Sequence, residues 1–272
     1  MAELGDTPWV DRAWRSSFER VAERVPASWM PRRRQGRPVR FEEYGCGHYG
    51  CVMPTDEAGL VVKVTSDPAE ALFVSWALSV DKPEYGIVDY KRILTIDGGS
   101  RRGRPLFILW RSEAFDVGVL MKMSGMFHPD VYERRKANEG LRSLEHVKIE
   151  AGKVRDTLKR WRNKADDETY NRFLGQVWKA FENGSGPNRW ANELAERIGI
   201  VRGEMQSLEN TYLVDGVGHA MLHYLDMGVL LADVHGQNIG RAAPDEAQLL
   251  ITDPGHAVVL DPTVEIPEIE LI

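Results

Sequence analysis

The sequence predicts an α+β protein in two parts: an antiparallel sheet with one helix, then a mostly helical part with a few late strands. Three observations carry that reading. Short apolar runs broken by turn residues fill residues 39–110. Residues 129–182 switch to spaced apolar positions among charges, which is the helical pattern. Strand-like runs return late, as VLLADV, QLLITD and HAVVL.

The elements follow in order. Trp9, Trp14, Phe18, Val21 and Val25 are spaced for a short helix or two over residues 9–29. PRRRQGRP reads as a linker. VRFEEYG, CVMPT, LVVKV and IVDYKRIL read as strands, and PAEALFVSWAL as a helix with Pro68 near its start. RPLFILW is continuously apolar, so it reads as a buried strand. After the helical block, ENGSGPN at 182–188 is a break, with further helices over 190–198 and 203–227 that stop at Gly228. The expected division is an N-terminal helical extension at 1–35, a sheet lobe at 36–113 and a helical lobe at 114–272.

Composition narrows the function classes. No apolar run reaches the roughly 18 residues that span a bilayer. The N-terminus lacks a basic segment followed by an apolar core, so a cytoplasmic protein with no membrane partner is expected. Two cysteines imply no disulfide framework and two reduced thiols. The net charge of -6 hides asymmetry, because residues 12–40 carry nine arginines and residues 132–164 are net basic. These stretches read as solvated helix faces or, over 132–164, as a seat for an anionic protein partner. No zinc-finger or RNA-binding signature accompanies them, so nucleic acid is not expected.

Both cysteines lie in YGCGHYGCVM, residues 44–53. Cys46, His48 and Cys51 are soft metal ligands, but no second cysteine pair completes a tetrahedral site. His219 and His223 share a helix face without the glutamate of H-E-x-x-H. Cys-x4-Cys is not a C-x-x-C redox pair. Gly45-x-Gly47-x-x-Gly50-x-Val52 fits a loop whose backbone N–H groups approach phosphates. Pro54 and the Asp-Glu-Ala-Gly turn after it make a strand and hairpin, not the helix that a dinucleotide fold requires.

Further residues fall in a meaningful order. Lys63 stands among valines, where a charge costs desolvation without partners, and Glu70 on the next helix is its expected ion pair. Asp233 follows an apolar run and stands five residues before Asn238. Asp253-Pro254-Gly255 ends another apolar run.

Taken together, residues 39–113 and 215–260 resemble the protein-kinase-like superfamily. Asp233-Val-His235-Gly-Gln-Asn238 is closer to the D-x-H-x-x-N of aminoglycoside phosphotransferase-like and other bacterial or phage atypical kinases than to H-R-D-L-K-x-x-N. The resemblance implies a bilobal fold with an antiparallel-sheet N-lobe and a reduced, mostly helical C-lobe, binding ATP and Mg²⁺ between them. It implies that Gly45, Gly47, Gly50 and Val52 cover the phosphates and that Lys63, oriented by Glu70, binds them. Backbone at the hinge, including Trp110 and Ser112, would hold adenine. Asp233 would be the base, His235 a hydrogen-bond donor to the γ-phosphate, and Asn238 and Asp253 the metal ligands.

The implied reaction is γ-phosphoryl transfer to a hydroxyl of a protein Ser/Thr, the chain's own included. A small-molecule phosphotransferase, a nucleotide-binding pseudokinase and nucleotidyl transfer are the alternatives. The departures are Leu231 and Ala232 before Asp233, Pro254 in place of Phe, and no A-P-E after Gly255. Control by a phosphorylated activation loop and eukaryotic peptide docking are therefore not implied. The loop cysteines are expected to react with alkylating agents and to be protected by ATP.

Overall fold

A computed structural model of the protein describes residues 8–34, 37–38, 45–46, 49–80, 86–116, 131–208, 216–243 and 249–272. The chain is mixed α and β, and its contacts divide it into two compact units. Unit 1 is Met1–Pro83, Val88–Ala114 and Ile266–Ile272; unit 2 is Glu84–Ile87 and Phe115–Glu265.

Unit 1 is built on a five-stranded antiparallel sheet. The strands are β3 (Gly45–Cys46), β4 (Gly50–Pro54), β5 (Leu60–Thr65), β6 (Tyr90–Arg101) and β7 (Arg104–Ser112), in the order β3-β4-β5-β7-β6. The turn at 56–59 closes β4 onto β5, with Thr55 N–H donating to Leu60 O at 3.1 Å. Alternation along β5 sends Val62 and Val64 to one face. There they join one apolar cluster with Val10, Trp14 and Val21 of α1 (Pro8–Ala22), Met53, Trp110 and Ile272. The N-terminal helix therefore forms part of this unit's core. Val61, Lys63 and Thr65 alternate to the other face, where α2 (Pro68–Ser79) packs. Asp67 caps α2 by accepting from Ala69 N–H at 3.0 Å, and Pro68 occupies its first turn.

The edge strand β6 is covered by the chain's last residues. Thr95 N–H donates to Glu270 O at 2.8 Å, and Ile272 N–H donates to Thr95 O at 2.9 Å. Such cover removes an exposed ladder of backbone groups. The expected linker carries a short ladder, β1 (Arg33–Arg34) against β2 (Arg37–Pro38). Of the expected strand VRFEEYG, residues 39–44 lie outside the described residues, and Gly45 begins β3.

Unit 2 holds α3 (Val131–Arg162), α4 (Asp167–Asn183), α5 (Arg189–Leu208) and α6 (Val217–Asp226). Leu144, Val147, Ala151, Val154 and Leu158 are buried at helical spacing on α3. Asp166 caps α4, accepting from Thr169 N–H at 2.7 Å, and Gly184 ends it in a left-handed conformation. The sequence breaks the chain between residues 198 and 203, whereas α5 runs unbroken through them. Ala195, Ile198, Val201, Met205 and Leu208 are all buried, and that continuous apolar stripe outweighs the roughly 1 kcal/mol that each of Gly199 and Gly203 costs a helix. The real break precedes α6, and residues 209–215 lie outside the described residues.

After α6, Gly228 takes φ +81, and a Cβ there would stand 2.5 Å from Asp261 Cβ. Only glycine fits that turn. It leads into β9 (Val229–Leu230), paired with β12 (Val258–Val259). A second small sheet places β10 (Ile239–Arg241) between β11 (Leu249–Ile251) and β8 (Phe115–Asp116). Among the described residues no helix is long and apolar enough to cross a membrane.

Candidate functional site

The expected residues fall into two sets, one in each unit. In unit 1, Lys63 on β5 meets Glu70 on α2, Nζ to Oε1 2.6 Å, with side chains 7% and 1% exposed. The register fixes this pair, because Lys63 lies between Val52 of β4 and Leu109 of β7. Capping by Asp67 sets the start of α2 and hence the position of Glu70. A buried ion pair is strongly destabilised by removal of either partner, so the site's geometry is held by the unit's own stability.

On the same face, a cavity of about 370 Å³ is lined by Gly45, Val52, Leu60, Val61, Glu113 and Ala114, among others. Its lining mixes the apolar Val52, Leu60 and Val61 with the charged Arg32, Glu57, Arg111 and Glu113. Gly45 is exposed and has nothing within 4 Å of an added Cβ. Gly50 differs: a Cβ there would stand 2.4 Å from Val64 O, so close strand approach already requires glycine at that position. Gly47 and His48 lie outside the described residues.

Trp110 and Ser112 are engaged within unit 1. Trp110 is fully buried, paired across the ladder with Val62 and Arg92, and its indole Nε1–H donates to Trp29 O at 2.9 Å. Ser112 N–H donates to Asp89 O at 2.8 Å, and its Oγ accepts from Asp89 N–H at 3.0 Å. The apolar run that marked Trp110 as strand placed it in the central strand β7, whose last residue is Ser112.

The two cysteines correct an expectation. Cys46 and Cys51 face each other across β3 and β4, Cα to Cα 4.1 Å, and are joined in a disulfide. No free thiol remains among the described residues. The reason is register: directly opposed antiparallel residues bring their side chains within bonding reach, which five-residue separation along the sequence does not reveal. Alkylation of these sulfurs therefore requires prior reduction.

In unit 2, Asp233, Asn238 and Asp253 are drawn together by the β10–β11 hairpin. Ile239 pairs with Ile251, and Thr252 N–H donates to Asn238 O at 2.8 Å, which sets Asn238 beside the residue before Asp253. Asn238 Nδ2 donates to Asp233 O at 2.8 Å. Asp253 Oδ1 accepts from Gly255 N–H at 3.0 Å. A Cβ on Gly255 would stand 3.2 Å from Asp233 Oδ2, so glycine lets the two acidic segments approach. Asn238 and Asp253 offer hard oxygen donors from two segments, a set that fits Mg²⁺ taken together with phosphate oxygens. Among the described residues, no group of three or more His, Cys, Asp or Glu forms a cage.

His235 plays a local part. Its Nδ1 accepts from Gln237 N–H at 3.2 Å, capping the short 3₁₀ turn Gly236–Asn238. Burial first, and then the nearby Lys148 charge, lower its pKa from the usual histidine value; Asp233, Glu145 and Asp253 oppose that shift. Accepting at Nδ1 leaves Nε2 as the ring's remaining nitrogen for other partners.

Lys148 was not legible from the sequence as a site residue. It lies on α3, and its Nζ is 3.3 Å from Asp233 Oδ1. Eighty-five residues separate the two in the chain, and no local motif marks a lysine in a basic helix. Three other cations of α3 pair with acids in or next to the helix: Lys153 with Glu150, Arg155 with Asp156, Arg162 with Asp167. No protein-family model matches the chain, and no curated protein matches it.

Proposed function

We propose that this chain is an ATP- and Mg²⁺-dependent phosphotransferase with a bilobal kinase-like fold. The observation that carries the reading is the buried Lys63–Glu70 pair, held by a central strand and a capped helix beside a ring-sized cavity. The grouping of Asp233, Asn238 and Asp253 in the other unit supports it.

The proposal assigns both sets to one ATP. Lys63 binds phosphate oxygens as a point charge, and Glu70 holds it in place. Asn238 and Asp253 would hold Mg²⁺, which neutralises charge on the phosphates. Asp233 accepts the proton of the acceptor hydroxyl. The acceptor oxygen bonds to the γ-phosphorus as the bond to the β–γ bridging oxygen breaks, and ADP leaves with that electron pair. Positioning and charge neutralisation supply most of the rate.

A protein Ser/Thr hydroxyl, the chain's own included, is the leading acceptor. The net basic stretch 132–164 is unsuited to a polycationic small molecule. Incubation of the full chain with γ-labelled or α-labelled ATP and Mg²⁺ tests the reading, beside Asp233→Ala and Asp253→Ala. Label from the γ position on protein, lost in both variants, is the expected result. Label from the α position indicates nucleotidyl transfer, and the absence of both label and a nucleotide-dependent thermal shift refutes the phosphotransferase.

A further inference from the structure

We propose that Lys148 is a catalytic residue: its ammonium, presented by α3, binds the γ-phosphoryl group beside Asp233 and neutralises the charge that develops there during transfer. The inference rests on the phosphotransferase reading above and names a group that the D-x-H-x-x-N stretch does not contain.

The placement is fixed from behind. Leu144, Val147 and Ala151 are fully buried and pin this part of α3, which leaves Lys148 beside Val147 with its side chain 31% exposed. Its Nζ reaches Asp233 Oδ1 at 3.3 Å, and Asp233 is itself 25% exposed. An ammonium carries three N–H donors, so contact with Asp233 leaves others to meet a phosphoryl oxygen.

The charge around the site calls for such a cation. Glu145, Asp233 and Asp253 all act on His235, and Lys148 is the cation that acts with them. A phosphoryl group brought to Asp233 meets carboxylates of like charge. The Nδ1 of His235 is already engaged, accepting from Gln237 N–H. Lys148 answers both anions at once: it faces Asp233 before the phosphoryl arrives, and it bridges base and phosphoryl afterwards. Its proton stays on nitrogen throughout; the proton that moves is the acceptor's, which goes to Asp233.

The test compares wild type with Lys148→Ala, Lys148→Arg and the control Lys153→Ala, an exposed lysine of the same helix that pairs with Glu150. Three readouts are taken: γ-phosphoryl transfer, and the affinities for ATP·Mg²⁺ and for ADP·Mg²⁺ by calorimetry. Lys148→Ala is expected to lower kcat on the order of 100-fold, as for loss of one charge-stabilising donor. It is expected to weaken ATP·Mg²⁺ about tenfold while leaving ADP·Mg²⁺ unchanged. Lys148→Arg recovers part of both, and Lys153→Ala matches wild type. A Lys148→Ala protein that transfers as fast as wild type or faster, or that loses ATP and ADP affinity equally, overturns the inference while the phosphotransferase stands. A wild-type chain that binds neither nucleotide overturns the phosphotransferase itself, and this inference with it.

Discussion

Each unit carries one ion pair among its candidate residues, and the two are of opposite kinds. Lys63 and Glu70 are buried on a strand and a helix at 2.6 Å, whereas Lys148 and Asp233 meet at 3.3 Å with a quarter to a third of each side chain in solvent. A buried pair is part of the architecture: water is excluded, the register holds the partners, and removing either partner costs the fold. A half-open pair adds little to stability, since solvent screens it, and its groups can exchange partners with an incoming ligand. The contrast separates a pair that holds its unit together from a pair whose groups stay open to solvent.

Glu70→Ala tests that contrast most severely. It removes the carboxylate from a buried ammonium and is expected to lower stability by about 3–5 kcal/mol in chemical denaturation. Asp253→Asn, at a half-exposed loop position, is expected to stay within about 0.5 kcal/mol of wild type while abolishing transfer. Similar stability losses in the two variants would erase the distinction.

Reduction of the Cys46–Cys51 disulfide comes next. The bond closes a loop of six residues, and its loss is expected to cost about 2 kcal/mol. Thermal melts with and without a dithiol should differ for wild type and coincide for a Cys46→Ala/Cys51→Ala protein. A response in the double variant would show that the reductant acts elsewhere.

The two described glycines of the loop separate fold from ligand in a third way. Gly50→Ala must move the β5 backbone and is expected to cost about 1–2 kcal/mol. Gly45→Ala meets open space and leaves stability within about 0.5 kcal/mol, so any loss of ATP affinity there reports on the ligand alone.

The smallest effect belongs to His235. Its folded-state pKa is depressed, so the folded chain binds protons at that ring less readily than the unfolded chain. Its contribution to stability is full above the ordinary histidine pKa of about 6.5 and is lost as pH falls through the lower folded value. His235→Asn, which can keep a cap, should flatten that part of the acid limb in melts between pH 7 and pH 5. An unchanged limb would place the acid sensitivity on other groups.

Much of this chain was readable in one dimension. Short apolar runs broken by turn residues located β4 and β5, and a continuous apolar run located β7, because a buried strand needs apolar residues on both faces. The Lys63–Glu70 pair followed from a lysine among valines and an acid one strand-to-helix connection later. Asp233 and Asp253 stood out as acids after apolar runs, and Asn238 by its spacing from Asp233. The break inside α5 was misplaced because glycine propensity is local, whereas the buried stripe of α5 spans the whole helix.

Periodicity and short-range spacing thus determined the α+β class, most elements and five polar positions of the candidate site. Tertiary structure alone decided that α1 and Ile272 complete the core of the sheet unit and that Cys46 bonds to Cys51. It also made Gly50 a packing requirement, and brought Lys148 to Asp233. Each of these depends on strand register or on contact between residues distant along the chain. A residue's own neighbours in sequence carry no record of what the folded chain will place beside it.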